Sequence, residues 1–100
     1  LYQSEMKIES VTSNSCEEKI YEIVGPVCES GDFLGKNRLM SIKSGDILCI
    51  IDAGAYGFAM ASNYNSRYRP PEIIISNQKL IMVRKRESFE DITRNESLIN

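Results

Sequence analysis

The sequence predicts an all-β fold: a Greek-key β-barrel or sandwich of about five or six strands with one or two short helical turns. Isoleucine is the dominant apolar residue, and β-branched side chains favour pleated sheets. The apolar segments are short and are separated by clusters of turn-forming residues. The 100 residues leave room for one domain. They are too few for a (β/α)₈ barrel, which needs about 200 residues or more.

The first half of the chain contains three predicted strands. Residues 6–11 alternate weakly between apolar and polar, and Lys19–Val24 is a strand closed by Gly25-Pro26. The run 47–51, which follows a turn at 43–46, is apolar on both faces and is therefore predicted to be a strand buried on both sides. Between the second and third strands, residues 28–35 are predicted to form a polar loop punctuated by glycine.

The second half predicts a hairpin between two short helical segments. Residues 52–57 are small, and residues 58–61 are predicted to form one helical turn. Pro70-Pro71 predicts an extended entry into a strand at 72–75, which pairs with a strand at 80–83 through the turn 76–79. Ser88 and Asp91 have the spacing of a capping box that opens a short terminal helix.

Composition narrows the classes of function. Twelve basic and 14 acidic residues give a formal net charge of −2. We therefore expect neither a nucleic acid nor a membrane as partner, because binders of either usually carry a basic surplus. The absence of histidine excludes Ser-His-Asp and Cys-His nucleophile pairs and removes the commonest metal ligand, so no metal site is expected. Three cysteines without paired spacing predict reduced thiols, as in the cytoplasm.

Taken singly, the chemical motifs are weak. The glycines around residues 54–57 are typical of a tight bend, and the third glycine of a dinucleotide fingerprint is missing. A lone cysteine such as Cys28 is more often a small buried hydrophobe than a reactive group. Tyr56 and Tyr64 fit core or rim aromatics equally well. The charged run 84–87 is predicted to be a solvated strand end.

Two long segments, however, resemble the signatures of the diaminopimelate decarboxylase family. They are GPVCESGDFLG at residues 25–35 and DAGAYGFAMASNYN at residues 52–65. Residues 67–72 and 86–91 are similar to the C-terminal stretch of that family, and Leu1-Tyr2 resembles the segment that enters its C-terminal domain. The resemblance therefore covers nearly the whole chain.

The resemblance implies a two-domain enzyme that depends on pyridoxal 5′-phosphate (PLP). Residues 1–100 would form a single C-terminal β-domain, and the TIM-like barrel that binds most of the cofactor would lie outside them. We expect this part alone to be inactive. The family also implies a cytoplasmic homodimer of lysine biosynthesis, with each active site shared between the two subunits.

The same resemblance implies a role for each candidate site residue. Cys28 would be the proton donor, reaching into the active site of the partner subunit. Glu29 would bind the distal amino group of the substrate, and Tyr56 would contact both the cofactor phosphate and the substrate. Tyr2 resembles a further substrate-binding tyrosine. Asp32 is expected to brace the loop that carries Cys28.

The residue after the cysteine bears on the substrate. Related ornithine-type decarboxylases pair this cysteine with an aspartate, whereas here Glu29 follows Cys28. The resemblance therefore implies decarboxylation of meso-2,6-diaminopimelate to L-lysine, a lyase reaction that releases carbon dioxide. Two alternatives remain open: a sibling decarboxylase for another basic amino acid, and a non-catalytic β interaction domain.

Overall fold

The computed structural model describes residues 6–13 and 15–99. Its elements in chain order are β1 (Ile8–Ser10), β2 (Lys19–Val24), β3 (Phe33–Met40), β4 (Leu48–Ile50), α1 (Gly54–Gly57), a 3₁₀ turn (Tyr64–Ser66), β5 (Glu72–Ser76), β6 (Lys79–Arg84) and α2 (Phe89–Thr93). The strands pair as three two-stranded antiparallel sheets, β1–β4, β2–β3 and β5–β6. The predicted all-β class is confirmed. Within the described residues these sheets do not close into a barrel.

The chain divides into two compact units, Leu1–Gly54 and Ala55–Asn100. In the first unit, the β2–β3 hairpin lies in sequence between the paired strands β1 and β4. Ile8 is opposite Ile50 in the β1–β4 pair. A hydrogen bond of 2.8 Å from the Ile51 N–H to the Lys7 carbonyl extends this pairing.

Ile8 is the point at which this unit packs most tightly. It is only 9% exposed, and among the described residues no other apolar side chain is buried as deeply. A Cβ atom at Gly35 would lie 2.8 Å from the Ile8 Cδ1 atom, so the glycine allows β3 to pass directly over Ile8. Arg38 fixes the same strand by donating to the Met6 carbonyl at 2.6 Å.

Strand β3 corrects the predicted loop at 28–35, because the strand begins at Phe33 and continues to Met40. The polar stretch 36–38 interrupts the apolar alternation that would have predicted it. Asn37 has a left-handed φ of 53°, and its N–H donates to Glu22 Oε1 at 3.1 Å. Pairing with β2 across an irregular register therefore stabilises a segment whose own pattern is weak.

Strand β4 forms where the apolar run was predicted, but it is not buried on both sides. It covers Leu48–Ile50, with Cys49 exposed, and the neighbouring Ile47 is 65% exposed. The two-sided burial expected for this run therefore does not occur among the described residues.

The second unit contains the predicted β5–β6 hairpin. Ile74 is opposite Ile81, and the strands are joined at Asn77 and Gln78. Both of these residues have left-handed φ angles, 49° and 62°. Two such residues in succession match the twist of an antiparallel hairpin, as in type I′ turns.

Of the two predicted helical segments, the C-terminal one is confirmed as α2, and the other forms earlier in the chain than predicted, as α1. The capping box predicted for α2 is present, with the Ser88 N–H donating to Asp91 Oδ2 at 2.8 Å. The turn predicted at 58–61 is wrong in position, because α1 ends at Gly57. Residues 58–61 continue from it as a turn, in which the Met60 N–H donates to the Tyr56 carbonyl at 2.9 Å. No helix in the described part of the chain is long and apolar enough to cross a membrane.

Candidate active site

Cys28 lies at the tip of the turn that joins β2 to β3. The turn is closed by short backbone hydrogen bonds: the Glu29 N–H donates to Val27 O at 2.8 Å, and the Asp32 N–H donates to Glu29 O at 3.1 Å. At its base the Gly25 N–H donates to Asp32 O at 3.0 Å. The side chains of Cys28 and Glu29 are both exposed, so the turn presents a thiol beside a carboxylate.

Asp32 holds this turn through its side chain as well. Its Oδ2 atom accepts a hydrogen bond of 2.8 Å from the N–H of Val27, the residue before Cys28. A Cβ atom at Gly25 would lie 2.3 Å from both carboxylate oxygens, so any larger residue there would push the carboxylate away. These contacts fit the bracing role expected for Asp32.

Glu29 is oriented by the residues that follow it. Its Oε2 atom accepts a hydrogen bond of 3.0 Å from the Gly31 N–H, and the Ser30 hydroxyl lies 3.4 Å from its Oε1 atom. Neither contact neutralises the carboxylate. The exposed negative charge is therefore held at a fixed place, where it can bind a cationic group of a ligand.

Tyr56 lies in α1, at the start of the second unit, and is 57% exposed. Its exposed side chain carries a hydroxyl that can donate a hydrogen bond, and a phosphate oxygen is one acceptor that such a hydroxyl can bind. Tyr2, the other predicted tyrosine, lies outside the described residues.

The structure thus places Cys28 and Glu29 together in one turn, and it places Tyr56 in the other unit. The thiols of Cys28 and Cys49 are free. Across residues 6–13 and 15–99, no group of three or more cysteine, aspartate or glutamate side chains could hold a metal ion.

One residue with a structural role was missed by the sequence reasoning. Glu87 was predicted to be part of a solvated strand end, but its side chain is only 21% exposed. It accepts hydrogen bonds from the Arg69 N–H at 2.6 Å and from Asn63 Nδ2 at 2.7 Å. These two bonds, that from Arg69 above all, hold the pKa of Glu87 below its ordinary value. The only sequence signal that pointed to a role for Glu87 was that its segment, 86–91, and the segment of its partner Arg69, 67–72, resemble the same family.

Comparison with known families agrees with this geometry. The family model for the pyridoxal-dependent decarboxylase, C-terminal sheet domain, matches residues 1–54. The chain belongs to this family. The match covers β1 to β4 and therefore includes the turn that carries Cys28 and Glu29.

Relatives within the decarboxylase family extend the likeness to the second unit. Diaminopimelate decarboxylase of Pseudomonas aeruginosa is 41% identical over 99 residues, which cover 99% of this chain and 24% of that protein. The crystal structure of diaminopimelate decarboxylase from M. jannaschii matches with a TM-score of 0.90 at 33% identity, covering 99% of this chain and 23% of that one.

A third match is the diaminopimelate decarboxylase from Helicobacter pylori, whose structure was solved with L-lysine. It has a TM-score of 0.86 at 38% identity and covers 95% of this chain and 24% of that one. This chain therefore spans about a quarter of the length of the relatives that it matches.

Proposed function

We propose that this chain is the C-terminal sheet domain of a diaminopimelate decarboxylase, which converts meso-2,6-diaminopimelate to L-lysine and carbon dioxide. The observation that carries this proposal is the exposed Cys28–Glu29 pair at the tip of a turn fixed by Asp32. A relative that matches 99% of this chain is named diaminopimelate decarboxylase, which supports the proposal. The rest of the enzyme would be the barrel domain.

The cofactor of this enzyme would be PLP, bound mainly by the barrel. When bound, PLP supplies an electron sink for the charge left on the substrate carbon as carbon dioxide departs. The residues here fit that group in one respect: the Tyr56 side chain is exposed, and its hydroxyl can donate to a phosphate oxygen.

Cys28 would supply the proton that completes the reaction. The bond between the substrate carbon and its carboxylate breaks, and the bonding electrons stay with the carbon. The Cys28 thiol then gives its proton to that carbon, and solvent reprotonates the sulfur. Cysteine is among the side chains that act as general acids, and such transfers contribute typically 10²–10⁴-fold to a rate.

Glu29 would select the substrate by its far end. Diaminopimelate carries a second ammonium group at a distance from the reacting carbon, and a carboxylate binds it by a charge-assisted hydrogen bond. The bond from the Gly31 N–H keeps the Glu29 carboxylate in place before substrate arrives. Because the carboxylate then needs little reorganisation, substrate binding costs less free energy.

We further propose that the enzyme is a cytoplasmic homodimer in which Cys28 serves the active site of the partner subunit. The exposure of the turn supports this arrangement, since the side chains of Cys28 and Glu29 are both accessible to a second subunit.

The role of Cys28 is tested by Cys28→Ala in the full-length enzyme. We expect kcat to fall about 10²–10⁴-fold, while the visible absorbance of bound PLP is retained. Cys49→Ala is the matched control, because Cys49 is also a free, exposed thiol but lies on β4. Equal turnover in the two variants would refute the proton-donor role.

The substrate is tested with Glu29→Gln and a panel of amino acids that includes meso-diaminopimelate and ornithine. Loss of the charge should raise the KM for diaminopimelate by about 10–100-fold, the usual range for a hydrogen bond to a charged group. Glu90→Gln, on the exposed face of α2, is the control. Preference of the unmodified enzyme for ornithine would instead favour the sibling decarboxylase.

A further inference from the structure

Glu87 is the centre of a hydrogen-bond cluster in the second unit. It lies three residues after β6, and its Oε1 atom accepts from both the Arg69 N–H at 2.6 Å and Asn63 Nδ2 at 2.7 Å. Its Oε2 atom is 3.6 Å from a guanidinium nitrogen of Arg69. The Glu87 N–H also donates to the Arg69 carbonyl at 3.2 Å, so Glu87 binds both the backbone N–H and the backbone carbonyl of Arg69.

The segment between the two partners of Glu87 has an unfavourable backbone. Asn65 and Ser66 have left-handed φ angles of 56° and 57°, a conformation that residues other than glycine rarely adopt in succession. Asn63 bridges the turn by donating to the Arg67 carbonyl at 2.9 Å. Such a conformation persists only where surrounding contacts enforce it, and here the contacts lie at both ends of the turn.

The same cluster reaches back to the tyrosine of α1. Arg69 Nε donates to the Ala61 carbonyl at 3.3 Å. The Ala61 N–H in turn donates to the Phe58 carbonyl at 2.9 Å, and the Met60 N–H donates to the Tyr56 carbonyl at 2.9 Å. The bonds thus lead from Glu87 through Arg69 and Ala61 to Phe58, in the turn after α1, and the Met60 bond ties that turn to the backbone of Tyr56.

We propose that Glu87 is a positioning residue, which holds the turn after α1 and thereby fixes where Tyr56 presents its hydroxyl. It does so without touching substrate or cofactor. This inference rests on the proposed function, because the contact of Tyr56 with the cofactor phosphate is part of that function.

The first test measures PLP affinity by titrating the full-length apoenzyme and following its visible absorbance. We expect Glu87→Ala to raise the dissociation constant of PLP by about tenfold, a size typical of coupled residues, and Glu87→Gln to raise it less because one acceptor oxygen remains. Glu90→Gln is the control and should change nothing. Equal constants for Glu87→Ala and the control would overturn the proposal.

A double-mutant cycle with Tyr56→Phe shows whether Glu87 acts through the tyrosine. If it does, Glu87→Ala should have little further effect on PLP affinity once the hydroxyl of Tyr56 is gone. Fully additive effects would overturn the proposal, since they would mean that Glu87 acts by another route.

Amide hydrogen exchange separates failure of this inference from failure of the proposed function. Glu87→Ala should speed exchange at the amides of Met60, Arg67 and Arg69, whatever ligand the site takes. If Tyr56→Phe alone leaves PLP affinity unchanged, the proposed role of Tyr56 is wrong, and exchange still decides whether Glu87 holds the turn. Exchange equal to that of Glu90→Gln would overturn the positioning role itself.

Discussion

At the scale of single residues, Asp32 and Gly25 hold the turn that carries Cys28, although neither has a proposed role in the reaction. The Asp32 carboxylate accepts from the Val27 N–H at 2.8 Å, and only a glycine at position 25 leaves room for that carboxylate. Cys28 is therefore held in place by contacts between residues that precede it, Gly25 and Val27, and one that follows it, Asp32. In the proposed role of Cys28 these contacts would affect the rate, because a displacement of about 1 Å at a reacting group can cost a hundredfold.

We predict that Asp32→Ala in the full-length enzyme lowers kcat by about 10–100-fold, because Cys28 no longer occupies one position. Gly25→Ala should have a similar effect, since its Cβ would displace the same carboxylate. Asp46→Ala is the control: Asp46 also accepts from a backbone N–H, that of Lys43 at 3.0 Å, but in a turn without site residues. Equal losses in Asp32→Ala and Asp46→Ala, measured by steady-state kinetics, would contradict the prediction.

At the scale of elements, local patterns predicted most of the elements that local contacts decide, with α1 as the exception. Strand β2 covers Lys19–Val24, the bounds predicted from the sequence. The hairpin of β5 and β6 and the capping box of α2 are also confirmed, because each depends on residues close in sequence. Strand β3 was missed because its order comes from pairing with β2, across an irregular register.

The candidate site shows the same division between local and distant contacts. The family motifs predicted the neighbouring pair Cys28 and Glu29, and the structure presents both on one turn. Glu87 could not be found in this way, because its partners Asn63 and Arg69 lie 24 and 18 residues away along the chain. No periodicity or spacing rule connects positions so far apart.

Helix α2 should lose stability in acid. Hydrogen bonds from the Ser88 backbone N–H, followed by its hydroxyl and the nearby Arg94, hold the pKa of Asp91 below its ordinary value. The carboxylate therefore stabilises the folded helix at neutral pH. This contribution is complete above the pKa of Asp91 in the unfolded chain, and it is lost as the pH falls through the lower, folded value.

Asp91→Asn should reproduce the acid effect at neutral pH, because an amide cannot carry the charge. We expect faster amide hydrogen exchange across Phe89–Thr93 in the full-length variant. Glu90→Gln removes a charge from the same first turn without touching the capping box, so it should leave exchange nearly unchanged. Protection of α2 that is equal in both variants would show that the capping box does not stabilise it.

At the scale of the whole molecule, the amount of exposed apolar surface is unusual. In the β5–β6 hairpin, Ile75 is 73% exposed and Leu80, which lies opposite, is 75% exposed; Ile74 and Ile81 point to the other face and are 51% and 47% exposed. Soluble monomers rarely expose contiguous apolar patches of this kind. The chain spans about a quarter of its relatives' length, and in the proposed full-length enzyme these surfaces would be covered.

Sharing of active sites between subunits can be tested by mixing two impaired full-length variants, Cys28→Ala and Tyr56→Phe. If Cys28 serves the partner's site while Tyr56 serves its own, each mixed dimer has one site with both residues intact. Random pairing then restores about a quarter of the normal activity, since half of the dimers are mixed and each has one working site.

The matched control for that experiment is a mixture of Cys28→Ala with Glu29→Gln. These two residues are neighbours on one turn, so they serve the same site from the same subunit whichever subunit that is. Every site in such a mixture lacks one of them, and no activity above that of the separate variants is expected. Recovery in the first mixture but not in the second would support a site completed by the partner's turn. No recovery in either mixture would mean that Cys28 and Tyr56 act within one subunit.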